Sequence, residues 1–113
     1  MDKVTMRGRA PKAVAALISG LPARRRRPDS WVVEDEEGHA VAEVLVRATR
    51  GMRVNLKHAL PASAPPEVKR VFKPTGVREG AATHRTQWAR YVYVTDENED
   101  TVRQGLELVA HVA

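Results

Sequence analysis

The chain has 113 residues, 42% of them hydrophobic and 29% charged, which suits one domain with a core and argues against wholesale disorder. It has no cysteine, which excludes disulfides, thiolate metal sites and cysteine nucleophiles, and no apolar run approaches the roughly 18–20 residues of a bilayer span. Nineteen Lys and Arg against 14 Asp and Glu leave a net charge of +5 and an isoelectric point near 10.1.

Residues 1–10 lack a sustained period and read as a basic, irregular arm, leaving residues 11–113 as a single domain. Pro11 suits a first helical turn, where its missing N–H is unpaired anyway. Val14, Leu17, Ile18 and Leu21 then repeat at helical spacing, and Gly20 and Pro22 end the helix, so it spans about 11–20. Arg24, Arg25, Arg26 and Arg27 form a linker. Trp31–Asp35 is a strand closed by the turn-prone Glu37-Gly38. Val41–Ala48 is dense in β-branched residues, and Met52–His58 alternates strictly. The short connection through Thr49, Arg50 and Gly51 joins these two as a hairpin. One hairpin face is apolar (Met52, Val54, Leu56, His58) and the other basic (Arg53, Asn55, Lys57).

The proline-rich stretch Pro61–Pro66 leaves the sheet. Pro66–Phe72 makes a short helix with Val68, Val71 and Phe72 inward, ending before Pro74. Thr75–Thr86 reads as a loop, and Gln87–Thr95 returns as a strand. Asp96 and Glu99 have capping-box spacing at the start of a last helix over about 97–112, which buries Val102, Leu106 and Val109. The expected fold class is therefore α+β: a single domain with an antiparallel sheet of about four strands flanked by N- and C-terminal helices.

Charge is unevenly distributed along this order. Residues 1–28 hold eight Lys or Arg against Asp2, whereas residues 29–46 hold six acids and no Lys or Arg. Residues 47–90 hold ten Lys or Arg against Glu67 and Glu79, and residues 91–113 hold Arg103 against five acids. Such blocks separate into basic and acidic faces. Those faces either meet each other, with the Arg24–Arg27 run beside Glu34–Glu37, or meet an outside partner.

The case for an enzyme is thin. The histidines 39, 58, 84 and 111 fall on four elements without the spacing of a metal site, and His58 belongs to the apolar strand face. Ser19, Ser30 and Ser63 lack a nucleophile-elbow context, Gly76–Gly80 is not a phosphate loop, and no cofactor is implied. Polyanion binding has more support, because Lys and Arg on one face supply the phosphate contacts that dominate nucleic-acid affinity. The candidate nucleic-acid-binding residues are Arg24, Arg25, Arg26 and Arg27 on the linker and Arg47, Arg50, Arg53 and Lys57 on the hairpin. Trp88 with Arg90 adds a flanking contact. A two-stranded ribbon is narrow enough for a major groove. Among the aromatics, Trp31, Phe72 and one of Tyr91 and Tyr93 are expected in the core.

Three stretches carry a resemblance. They are an opening helix ending in ALISGLP, a hairpin running into MRVNLKHALP, and the close WARYVYVTDENEDTVRQGLELVAHV. Together these resemble the YjbR/MmcQ-like small bacterial α+β domains, covering most of residues 12–112 in order and character. The resemblance implies an α+β fold and DNA binding without established catalysis; the Arg24–Arg27 run departs from it.

The sequence thus predicts non-enzymatic binding of nucleic acid or another polyanion through a basic hairpin face and an Arg-rich linker. The alternative is a protein–protein interaction module or homo-oligomeric subunit using complementary faces, with Val41–Ala48 available for edge-to-edge pairing. A cytoplasmic location away from membranes is expected.

Overall fold

Helix α1 covers residues 12–18 of the computed structural model, which describes residues 12–47, 51–75 and 88–111. Val14 and Leu17, one turn apart, are its buried side chains. The helix closes two residues earlier than its apolar spacing suggests. Leu21 N–H bonds to the Ile18 carbonyl at 2.9 Å, across a Gly20 with φ of 79°.

Six strands follow in one antiparallel sheet of order β1-β2-β3-β4-β6-β5. They are β1 (Ala23–Arg27), β2 (Ser30–Glu34), β3 (Ala40–Arg47), β4 (Gly51–Leu56), β5 (Lys73–Pro74) and β6 (Arg90–Tyr93). The expected count of about four is too low by β1 and β5. The Arg24–Arg27 run is strand, not linker, because an edge strand needs one hydrogen-bonding neighbour and can leave its side chains in water. The pair Lys73–Pro74 is too short for any periodicity to show. The β3–β4 hairpin forms as expected, and its register runs from Arg47 opposite Gly51 to Ala42 opposite Leu56. It is not a free ribbon, since β2 and β6 flank it. Strand β3 is therefore interior, and edge-to-edge pairing through it is ruled out.

Helix α2 (Pro66–Val71) and helix α3 (Glu99–His111) pack on the same side of the sheet as α1. Val14, Leu17, Val68, Phe72, Val102, Leu106 and Ala110 form one buried cluster with Val33, Ala42, Val44, Met52, Val54, Leu56 and Val92. Two contacts fix α3 in place. Arg103 donates from Nη1 to the carbonyls of Ala16 and Leu17, both at 3.1 Å, and from Nη2 to that of Ser19. It thereby satisfies the carbonyls that α1 leaves open at its C-terminus. Gly105 lies against the Phe72 ring, where a Cβ would come within 2.8 Å of Cζ.

The start of α3 uses different residues from the predicted Asp96–Glu99 pair. Thr95 N–H donates to Asn98 Oδ1 at 2.7 Å, and Asn98 N–H donates to Thr95 Oγ1 at 3.2 Å. That is the reciprocal capping logic, one residue out of step with the expectation. Asn98 also donates from Nδ2 to the Tyr93 carbonyl at 3.0 Å, tying the helix start to β6. His58 does not sit on an apolar strand face, because β4 ends at Leu56 and His58 is exposed beyond it. The predicted arm, the Thr49–Arg50 turn and residues 76–87 lie outside the described residues.

Candidate functional site

Because strand side chains alternate, the sheet register sorts the candidates onto two faces. The helix-side row runs Ala23, Val33, Ala42, Leu56, Arg90 and Pro74 across all six strands. The opposite row runs Arg24, Val32, Glu43, Asn55, Tyr91 and Lys73. Beside it, Arg27, Ser30, Leu45, Arg53 and Tyr93 form a second row on the same face. Arg27 reaches this face because the register shifts between Arg25 and Arg27, so Arg26 is the extra residue of a bulge. Arg47, two residues beyond Leu45 on β3, faces the same way. Among the described residues, no helix packs on this face.

A chain of polar contacts crosses it. Ser30 Oγ donates to Glu43 Oε2 at 2.9 Å, and Asn55 Nδ2 donates to Glu43 Oε1 at 3.1 Å. Arg53 Nε then donates to Asn55 Oδ1 at 2.8 Å, and its Nη1 reaches Tyr93 OH at 3.5 Å. Glu43, Asn55 and Ser30 are all buried, so each needs these partners. The Arg53 guanidinium lies 4.5 Å from the Tyr91 ring centre and 5.6 Å from that of Tyr93, within cation–π range. The two rings meet edge to face, 6.1 Å apart at 79°. Arg53 is thus held from its stem by Asn55 and along its plane by aromatic rings.

The remaining candidates separate. Arg24 pairs with Glu34 at 3.0 Å, so the Arg run and the acidic run meet at one ion pair. Arg25 faces the helix side, where its guanidinium sits 5.1 Å from the Trp31 ring centre. Its Nε and Nη2 donate to the carbonyls of Arg27 and Pro28. Arg26, Arg27, Arg47 and Lys57 are exposed and have no ion pair among the described residues. Arg90 lies on the helix side opposite Leu56, away from Arg53. Trp88 is half-buried, with its carbonyl accepting from the Thr75 hydroxyl at 2.7 Å. Arg50 falls outside the described residues.

The aromatic expectation needs correction. Neither tyrosine of β6 belongs to the core, because residues two apart on a strand share a face and Val92 between them takes the buried side. The Tyr-x-Tyr spacing carried that information. Glu43, absent from the candidates, is what draws Ser30 and Asn55 into the site; all three are polar residues embedded in strand-forming runs.

A second grouping lies in the β2–β3 turn, where ligand-type atoms of Asp35, Glu37 and His39 fall within 4.8 Å of one another. The spacing of the histidines along the chain suggests no metal site, yet alternate residues around this turn bring His39 beside two carboxylates. Asp35 has a structural role there. Its Oδ1 accepts the backbone N–H groups of His39 and Glu37, each at 2.9 Å, and the His39 bond above all holds the carboxyl below its ordinary pKa. Nearby, Asp35, Val41, His58, Ala59, Pro61 and Val109 line a mostly apolar groove of about 240 Å³.

Among the described residues, no helix is long and apolar enough to cross a membrane. Comparison of the chain with protein-family models, curated proteins and solved structures found no match.

Proposed function

We propose that the protein binds nucleic acid or another polyanion, without catalysis, through the sheet face opposite its helices. The observation that carries this reading is charge segregation by register. Among the described strand residues, Arg24, Arg27, Arg47, Arg53 and Lys73 share that face with only Glu34 and Glu43. Both acids are engaged within the sheet, Glu34 by Arg24 and Glu43 by Ser30 and Asn55. Five cations against two acids leave this face an excess of three positive charges, and that excess sets the sign of the field it projects. Arg26 and Lys57, exposed at the margins, extend the same basic surface.

The test is a salt titration of binding to fluorescein-labelled DNA and RNA, followed by anisotropy. Phosphate neutralisation releases counterions, so log affinity is expected to fall linearly with log salt. Arg47→Gln and Lys57→Gln are each expected to shallow that slope, by about 0.7–0.9 if each neutralises one phosphate. Absence of binding at low salt, or an affinity indifferent to salt, overturns the reading.

A further inference from the structure

The helix-free face contains more than cations. Arg53 is held by Asn55 Oδ1 and by two tyrosine rings, an aromatic setting that phosphate neutralisation alone does not require. A guanidinium is planar and weakly hydrated, and it stacks on π-systems. Together with Tyr91 and Tyr93, that of Arg53 forms a charged, aromatic platform on this face.

We propose that this platform takes an unpaired nucleobase, and that the preferred ligand is single-stranded nucleic acid, not duplex. The inference rests on the basic-face reading above and specifies its ligand. Three observations support it. First, Tyr91, Tyr93 and Arg53 lie on the face that also holds the exposed Arg27 and Arg47, which have no ion pair among the described residues, so bases and phosphates of one strand can be engaged together. Second, the platform sits on β4 and β6, inside a six-stranded sheet. Five strand spacings of roughly 4.8 Å make that sheet about 24 Å across, twice the roughly 12 Å width of a major groove. Such a face cannot enter a duplex to reach its bases, but a single strand can lie across it. Third, the tyrosines are half-buried and anchored in a strand, so a stacking base meets rings already ordered. Ser30, Glu43 and Asn55 are positioning residues in this arrangement, acting through Arg53.

The experiment compares the full chain with labelled dT15, U15 and a mixed-sequence 15-base-pair duplex at one low salt concentration. The expected result is at least about tenfold tighter binding of a single strand than of the duplex. Tyr91→Ala is expected to weaken single-strand binding about tenfold, in the range of one lost base stack. Tyr91→Phe, which keeps the ring, is expected to leave it unchanged. Arg53→Lys keeps the charge but loses the plane, and is expected to weaken single-strand binding without changing the salt slope. Because Tyr91→Ala also perturbs the fold, the Tyr91 ring protons of the unaltered protein provide a second readout, with dT15 expected to shift them upfield. The dT15 and U15 arms separate DNA from RNA as the source of the same chemistry. Equal affinity for duplex and single strands, with Tyr91 resonances unmoved, overturns the stacking inference and leaves the basic-face reading standing. Failure to bind any of the three overturns both.

Discussion

Asn55 holds together two groups that would otherwise be hard to place. Its amide nitrogen satisfies one oxygen of the buried Glu43, and its amide oxygen takes Arg53 Nε. A buried carboxylate deprived of a donor keeps its desolvation cost without compensation, so the loss is larger than that of an exposed hydrogen bond. Asn55→Ala is therefore expected to destabilise the fold by about 1–3 kcal/mol. It is also expected to free the Arg53 side chain from its plane. Urea denaturation followed by circular dichroism checks the first effect; an unchanged midpoint would show that Glu43 finds its second donor elsewhere. Asp35 in the β2–β3 turn shows a milder version of the same rule, with a carboxylate oxygen organising the backbone N–H groups of a tight turn. The arginines of β1 show how little residue type alone decides. Arg24 meets a carboxylate, Arg25 meets an indole, and Arg26 and Arg27 meet water.

The elements legible in the sequence are those whose signal is local. The β3–β4 hairpin follows from alternation and from Gly51, whose φ of 86° few other residues adopt readily. Helix α2 follows from Pro66 at its first turn and from Val68 and Phe72 facing the core. The missed elements owe their existence to a neighbour. Strand β1 is four arginines pinned by β2, and β5 is two residues pinned by β6. Likewise the site was half legible: Arg47 and Arg53 share a face by hairpin alternation alone. The union of Arg53 with Tyr91 and Tyr93 needs the β4–β6 pairing, across some forty residues that no local pattern spans. Packing of α3 is of this second kind. Gly105 in mid-helix costs about 1 kcal/mol relative to Ala. It is tolerated because the Phe72 ring, 3% exposed, occupies the space a Cβ would need. Gly105→Ala is thus expected to lower stability by about 1 kcal/mol or more, overpacking outweighing the gain in helix propensity. Adding Phe72→Leu to that variant is expected to recover part of the loss. A higher melting temperature for Gly105→Ala alone would mean that the ring moves aside at no cost.

At the scale of the whole molecule, the sheet of the described residues ends at two edges, β1 and β5, and each is blunted differently. The β5 edge is two residues long and includes a proline, which has no N–H to offer. The β1 edge is longer, but it is bulged at Arg26 and carries a row of guanidinium groups. A second copy approaching in antiparallel fashion would bring two arginine rows together, and like charges facing across a strand pair are destabilising. The same residues that enrich the basic face therefore oppose sheet-to-sheet self-association, and bear directly on a homo-oligomer built by edge pairing. Replacing Arg24, Arg26 and Arg27 together by Thr keeps β propensity while removing the repulsion. That variant is expected to self-associate through β1 at lower concentrations than the unaltered chain does. Association should be abolished again when Pro replaces Arg26, since a proline cannot donate to a new strand. Sedimentation velocity over a concentration series checks the whole set. A triple-Thr variant that associates no more than the unaltered chain would show that the bulge alone protects the edge.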